Sequence, residues 1–371
     1  MKICEYIPSG SFFVGGGEIY ALMQALVLAK RGHDLEVVVL KSERKSDYFK
    51  DYIRDNHLKN LKIIYLNSPI QKEENFDQNV FNHEAGHKLY YSLARPFVRL
   101  CLENEYNLVI NHYGPAAIST PDFIKQILIL HGTPCEPQEV NYAAIRIADY
   151  VVGDSKSIAA DWQRIFNFQR KITVIGNGVD PQKYYPMSMN EDIDVLYLGR
   201  LLETKGVQDL IGAIALINEF GLRNLKIGIA GMGPFDGELK KLVKDLKMET
   251  EIKFLGYVSE EDKNALYNRA KVLVFPSFAK EGVLTTLLEA ASSQRAVVTS
   301  DCCGMVDFIK DNVNGLLFEP RNVHNLARQI QYLLSDSKKR YLLGKSARKD
   351  IIKNWTWDTN AEKIEKLVNK I

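Results

Sequence analysis

The sequence predicts an α/β protein of two domains, each a parallel sheet wrapped by helices, on three observations. At 371 residues the chain exceeds what one hydrophobic core usually serves, so two domains of about 180 residues are expected. Short apolar runs alternate with stretches of helical period, the pattern of parallel strands joined by crossover helices. The pattern occurs twice, and a polar segment interrupted by Pro181 and Pro186 separates the two occurrences.

Taken in order, the first occurrence places strands at residues 3–7, 35–40, 63–66, 108–111, 127–130, 150–152 and 172–175. A helix over 18–31 follows the first strand, with Ile19, Leu22, Met23 and Leu26 on one face and Gly32 as its stop. The second occurrence places strands at 195–198, 227–230, 252–255, 272–275, 297–299 and 316–318, with a helix over 207–220 after the first of them. The expected organisation is a first domain over 1–180, a linker over 181–192, a second domain over 193–355 and a last segment over 356–371. No solenoid repeat or low-complexity segment appears.

Composition narrows the function. Hydrophobic content of 46%, charged content of 25% and a net charge of +2 describe an ordinary soluble protein with no nucleic-acid footprint, so nucleic acid is not an expected partner. The cysteines, Cys4, Cys101, Cys135, Cys302 and Cys303, are odd in number and lack C-x-x-C spacing, which argues against a disulfide framework or a structural zinc site. Buried thiols of a reducing compartment are the expectation. The N-terminus opens on a strand pattern without the basic and apolar regions of a signal peptide, and no apolar run reaches membrane-spanning length. A cytoplasmic protein is expected. Residues 88–102 combine Lys88, Arg95 and Arg99 with Leu89, Tyr90, Leu93, Phe97 and Val98. Burial in the first domain is favoured over a weak peripheral contact with the inner face of a membrane, since Pro96 interrupts the stretch.

The most informative residues are Glu281 and Glu289, separated by seven residues directly after the strand at 272–275. A helix beginning near Val283 would leave Glu281 in the loop at its positive end and put Glu289 about two turns inside, roughly 9 Å along the axis. One carboxylate then meets a sugar and the other a ribose, on either side of a diphosphate held at the helix N-terminus. Solvated acids on a surface helix are the bland alternative. Arg200 and Lys205 follow the first strand of the second domain, where ligands of such sheets bind, and a forked and a point-like cation there can clamp a diphosphate. Gly15, Gly16 and Gly17 follow the first strand of the chain and let amides approach an anion or a sugar hydroxyl. Gly231 and Gly233 form half of a dinucleotide fingerprint, but Asp236 stands where its third glycine belongs, so a nicotinamide or flavin cofactor is not expected.

In this order the motifs Gly15-Gly16-Gly17, Ile175-Gly176-Asn177-Gly178-Val179-Asp180, Gly199-Arg200 with Lys205-Gly206, Gly231-Met232-Gly233-Pro234, Phe254-Leu255-Gly256-Tyr257-Val258, Glu281 with Glu289, and Asn314-Gly315-Leu316-Leu317-Phe318 resemble a retaining, nucleotide-sugar-dependent GT-B glycosyltransferase of family four (glycosyl transferases group 1). The resemblance covers nearly the whole chain. It implies two Rossmann-like domains facing across a cleft, an acceptor-binding first domain and a donor-binding second one, with a last helix over about 358–370 crossing back to the first. It also implies transfer of a sugar from a nucleoside diphosphate sugar, a UDP-sugar ahead of a GDP-sugar, to a hydroxyl of a glycan, glycolipid or lipid-linked acceptor in cell-surface polysaccharide biosynthesis.

Carried over position by position, Arg200 and Lys205 match the cations that neutralise the donor diphosphate in place of a metal, so no metal or cofactor is implied. Glu281 matches the acid that contacts the donor sugar, and Gly282, Val283 and Leu284 lie beside the phosphates. Glu289 matches the ribose-binding acid, and Tyr257 and Val258 lie where backbone meets the nucleobase. Gly16 and Gly17 belong to the donor-side glycine turn. His112, in Asn111-His112-Tyr113-Gly114, is similar to a histidine near the transferred sugar, and His131, in His131-Gly132-Thr133, is a weaker candidate. One departure stands out: members commonly carry Gly-Phe-Gly after the first glutamate, where this chain has Gly282-Val283-Leu284, and leucine adds bulk beside the donor.

Two other classes remain. His83-Glu84-Ala85-Gly86-His87 fits the zinc-protease pattern H-E-x-x-H, although Gly86 weakens the helix that pattern needs. A nucleotide-sugar-binding protein without transfer activity is the other, kept open by Leu284.

Overall fold

Near-continuous runs of Val, Ile and Leu make strands that bury both faces, which is what a parallel sheet covered by helices demands. The computed structural model describes residues 1–11, 15–41, 58–68, 83–112, 114–134, 138–222 and 224–369. The chain divides into two units, one of Met1–Gly176 with Trp357–Ile371 and the other of Asn177–Thr356.

In the first unit the strands are β1 (Lys2–Tyr6), β2 (Asp34–Leu40), β3 (Leu61–Leu66), β4 (Leu108–Asn111), β5 (Lys125–Leu130), β6 (Tyr150–Gly153) and β7 (Thr173–Val174). They lie in the order β3-β2-β1-β4-β5-β6-β7, and every neighbouring pair is parallel. Strand order reverses between β1 and β4, the switch point at which the loops part and a ligand crevice opens beyond the strand ends.

The second unit repeats the plan with β8 (Ile193–Leu198), β9 (Ile227–Ala230), β10 (Ile252–Gly256), β11 (Ala270–Phe275), β12 (Ala296–Ser300) and β13 (Leu316–Phe318). Their order is β10-β9-β8-β11-β12-β13, all parallel, with the switch point between β8 and β11. The loops that leave those two strands hold Arg200 with Lys205, and Glu281. Residues ahead of β8 pack inside this unit: Tyr184 is buried with Ile193, Leu266 and Tyr267, and its carbonyl accepts from Ser292 Oγ at 2.6 Å.

The helix after β1 differs from the one-faced helix the sequence suggests. It spans Gly16–Lys30 and buries Tyr20, Ala21, Leu22, Gln24, Ala25, Leu26, Val27, Leu28 and Ala29, so nearly its whole circumference is covered. The helix Trp357–Val368 accounts for that, setting Trp357, Ala361, Ile364 and Leu367 into the same core. Gln24 donates to Asn360 Oδ1 at 2.7 Å, Asn360 Nδ2 donates to Tyr20 Oη and Gly176 O at 2.9 Å each, and Arg31 meets Glu365 at 2.8 Å. A polar residue such as Gln24 is tolerated at this seam because its amide nitrogen is bonded.

The helix His83–Asn104 runs through both Gly86 and Pro96. Leu93, Phe97 and Cys101 are buried with Cys4, Tyr6 and Val38, and the Phe97 ring stacks on Tyr6 at 3.7 Å between centroids. No helix among the described residues is long and apolar enough to cross a membrane.

Candidate functional site

At the switch point of the second sheet, two glycines bring separate loops into contact. Gly206 has φ +72°, and a Cβ there would stand 2.1 Å from Pro276 O, so only glycine lets the loop after β8 lie on the loop after β11. A Cβ on Gly304 would stand 2.2 Å from the carbonyl carbon of Gly282, so the loop after β12 closes on the same segment, and Gly304 N donates to Glu281 O at 3.0 Å. Phe278 N donates to Thr204 O at 3.0 Å, which stitches the first two loops together.

That closure places Lys205 Nζ directly on Glu281 Oε2 in an ion pair, with Lys205 only 7% exposed. Ser277 Oγ donates to the other carboxylate oxygen of Glu281 at 2.6 Å. Arg200 is exposed, with its guanidinium making no ion pair among the described residues, while its carbonyl is held by Tyr197 Oη at 2.8 Å. Asn177 Nδ2 donates to Val283 O at 2.7 Å and so anchors the segment Gly282-Val283-Leu284. The helix begins at Thr285 with Leu284 as its N-cap, and no side chain occupies the cap. Its first amides remain for an anion. Leu284 has φ −63°, ordinary for leucine, and its half-buried side chain packs against the core.

Because the helix starts at Thr285, Glu289 lies little more than one turn inside it. Glu289 is 8% exposed; its Oε2 accepts from Tyr267 Oη at 2.6 Å and lies 3.5 Å from Lys263 Nζ. Burial raises the Glu289 carboxyl above the usual range, with Lys263 opposing it. Lys263 also pairs with Glu260, which accepts from Lys183 Nζ and Tyr184 Oη at 2.9 Å each. Against the effect of burial, Lys263 and Lys183 hold the Glu260 carboxyl down to about 2. Tyr257, 71% exposed, and the half-buried Val258 follow β10, whose end is tied to β9 by Gly231 N donating to Gly256 O at 2.7 Å.

The remaining sequence candidates lie in the first unit. A Cβ on Gly17 would stand 3.2 Å from His131 Cδ2, so the start of the helix rests on that ring, whereas Gly16 faces open space. His112 is 1% exposed and both ring nitrogens are engaged, Nε2 with Glu5 Oε2 at 2.6 Å and Nδ1 with His131 Nε2 at 2.9 Å. His131 is the ring that keeps some exposure, 12% of its side chain, and its Nδ1 lies 3.5 Å from Asp154 Oδ2.

Of the sequence candidates, the structure joins Lys205, Glu281 and the 282–284 segment, and holds Glu289 in a neighbouring network. Sequence reasoning missed Ser277, Tyr267, Lys263, Glu5 and Asp154. Only Ser277, four residues before Glu281, carried a local signal. The side chains of His83, Glu84 and His87 lie outside the described residues, and no group of three metal-ligating side chains occurs among the described ones.

Residues 14–183 match the profile Glycosyltransferase Family 4, and residues 187–350 match Glycosyl transferases group 1. An uncharacterized glycosyltransferase of Methanocaldococcus jannaschii is 32% identical over 228 residues, 57% of each chain. A capsular polysaccharide biosynthesis glycosyltransferase of Staphylococcus aureus is 24% identical over 54% of this chain and 56% of its own. The chain thus spans little more than half the length of these relatives. Anabaena HepE in complex with UDP-glucose superposes with a TM-score of 0.80 over the full length of both chains at 19% identity, a likeness of fold.

Proposed function

Because the chain belongs to the GT-B glycosyltransferases of family four, we propose that it moves a sugar, with retention, from a nucleoside diphosphate sugar to a hydroxyl of a glycan or glycolipid acceptor. The observation that carries this reading is the pair of buried Lys205 with half-buried Glu281 at the switch point, with exposed Arg200 and an uncapped helix start beside it. A cation and a carboxylate side by side suit a ligand whose anionic diphosphate is bonded to an electron-poor sugar carbon. Lys205, Arg200 and the amides near Val283 and Leu284 take the diphosphate, and their attraction grows as charge collects on the departing oxygen. Glu281 faces the sugar and favours the positive charge that develops on its ring. Glu289 takes the ribose hydroxyls, and the Tyr257–Val258 backbone takes the base.

With the leaving phosphate oxygen as acceptor of the incoming hydroxyl's proton, attack occurs on the face the phosphate leaves, which gives retention. The HepE complex with UDP-glucose supports reading the donor as a uridine diphosphate sugar ahead of a guanosine one, and the capsular relative supports a role in cell-surface glycan assembly. A zinc hydrolase at His83, Glu84 and His87 would explain neither profile match.

Thermal-shift screening against uridine, guanosine and adenosine diphosphates and their sugars tests the donor, since a ligand of the folded state raises Tm. Proton coupling constants of fresh product test the stereochemistry. An inverted anomer, or no shift with any of the nucleotides, would reject the proposal.

A further inference from the structure

Glu5, His112, His131 and Asp154 come from β1 and from the ends of β4, β5 and β6, four strands adjacent in the first sheet. They form one row: Glu5 Oε2 to His112 Nε2 at 2.6 Å, His112 Nδ1 to His131 Nε2 at 2.9 Å, and His131 Nδ1 to Asp154 Oδ2 at 3.5 Å. The two imidazole planes are parallel to within 3°, and with centroids 5.2 Å apart and nitrogens 2.9 Å apart the rings meet at their edges.

Each link in such a row needs one donor and one acceptor, so with neutral rings the polarity runs one way throughout. If Glu5 accepts, His112 must accept from His131, and the bare Nδ1 of His131 then faces Asp154, acceptor against acceptor unless Asp154 carries the proton in place of Glu5. If Glu5 donates, both hydrogen-bonded links are satisfied and the row ends with an N–H on the His131 nitrogen that lies 3.5 Å from Asp154 Oδ2.

We propose that Glu5 carries a proton and, acting through His112, is a positioning residue that fixes His131 in the tautomer whose Nδ1–H points to Asp154. Glu5 Oε1 and Asp154 Oδ1 both lack a hydrogen-bond partner among the described residues, but Glu5 is fully buried whereas Asp154 keeps 5% exposure, so Glu5 is the poorer setting for a charged carboxylate and the better place for the proton. Among the described residues the titratable groups around it are Cys4 beside it on β1, Tyr20 from the helix Gly16–Lys30, and the two histidines and Asp154 from the other strands; none of the three groups outside the histidines is a cation. Burial raises the Glu5 carboxyl well above its usual range, and burial with the His131 neighbour lowers the His112 imidazole, so the neutral form of each is favoured.

The consequence is a ring held in one orientation under Gly17, at the switch point of the first sheet. Only the effect on turnover rests on the glycosyltransferase reading; the proton positions do not.

The experiment is nitrogen NMR of the full chain labelled at histidine, with turnover against pH for wild type and Glu5→Gln, whose amide N–H can donate as the protonated acid does. The expected result is a His112 proton on Nδ1 in wild type at neutral pH. Glu5→Gln should stay within twofold of wild-type kcat at neutral pH and lose the fall in kcat that wild type shows as Glu5 ionises. A His112 proton on Nε2, or on both nitrogens, overturns the proposal, as does a loss above tenfold in kcat for folded Glu5→Gln. Should no nucleotide sugar support transfer, or Glu5→Gln fail to fold, the proton position in wild type still decides between the two polarities.

Discussion

At the scale of single residues, the Lys205–Glu281 pair in the second unit is the sharpest point of attack. Lys205→Ala removes a cation whose attraction strengthens as the diphosphate departs, so kcat should fall by roughly one to three orders of magnitude with the fold intact. Because the same change leaves the Glu281 carboxylate without its cation, nucleoside diphosphate affinity should fall as well; activity within twofold of wild type would sink the assignment. The two glutamates should separate in kinetics. Glu281→Gln is expected to lower kcat, whereas Glu289→Gln should chiefly raise the donor KM, because it loses the charge that best accepts two ribose hydroxyls. Equal effects on both parameters would reject that division. Glu5 supplies a test in stability. Its carboxyl is raised in the folded state, so unfolding releases its proton at ordinary carboxylate pH, and stability is lost as pH climbs from about 4.3 through the raised value. Glu5→Gln does not titrate, and its Tm relative to wild type should therefore climb over that same range; a difference independent of pH would contradict it.

At the scale of elements, the loops after β8 and β11 act as one object because Gly206 lets them touch. Gly206→Ala puts a methyl 2.1 Å from Pro276 O at a φ of +72°, a cost on the order of 2 kcal/mol, or roughly 4–8 °C in Tm for a unit of this size. The same change should part Lys205 from Glu281 and depress kcat beyond what the stability loss explains, a comparison made at a temperature where both proteins are folded. The strands were the most legible elements: each of β1 to β13 falls on an apolar run readable from the sequence, since strands covered on both faces cannot hide their composition. The helix Gly16–Lys30 was harder, because its second covered face is supplied by residues more than 300 positions away. Likewise Arg200, Lys205, Glu281 and Glu289 stand out by their place at strand ends. Their partners do not, for Tyr267 and Lys263 reach Glu289 from a separate helix and Glu5 reads as the interior of a strand. Local pattern reports what an element is, and contact between distant elements is decided by packing.

At the scale of the whole molecule, the first unit is assembled from two stretches of chain, and the second is inserted between them. Ending the chain at Thr356 would strip Trp357, Ala361, Ile364 and Leu367 from the face of the helix Gly16–Lys30 and leave Gln24 without Asn360. Such a chain should bind a hydrophobic dye and lose the cooperative melting of its first unit; an unchanged melt with no dye binding would show that the last helix adds little. The insertion has a temporal side as well. A ribosome extends a chain at about 5–20 residues per second, so the intervening residues 177–356 occupy it for on the order of ten seconds or more after Gly176 appears. Throughout that interval the nascent first unit has its seven strands but an uncovered apolar helix, while the second unit emerges with its own core complete. The later-made unit is thus the first able to finish folding, and the earlier one must be sheltered, by a chaperone or by reversible local disorder, until its closing helix is translated.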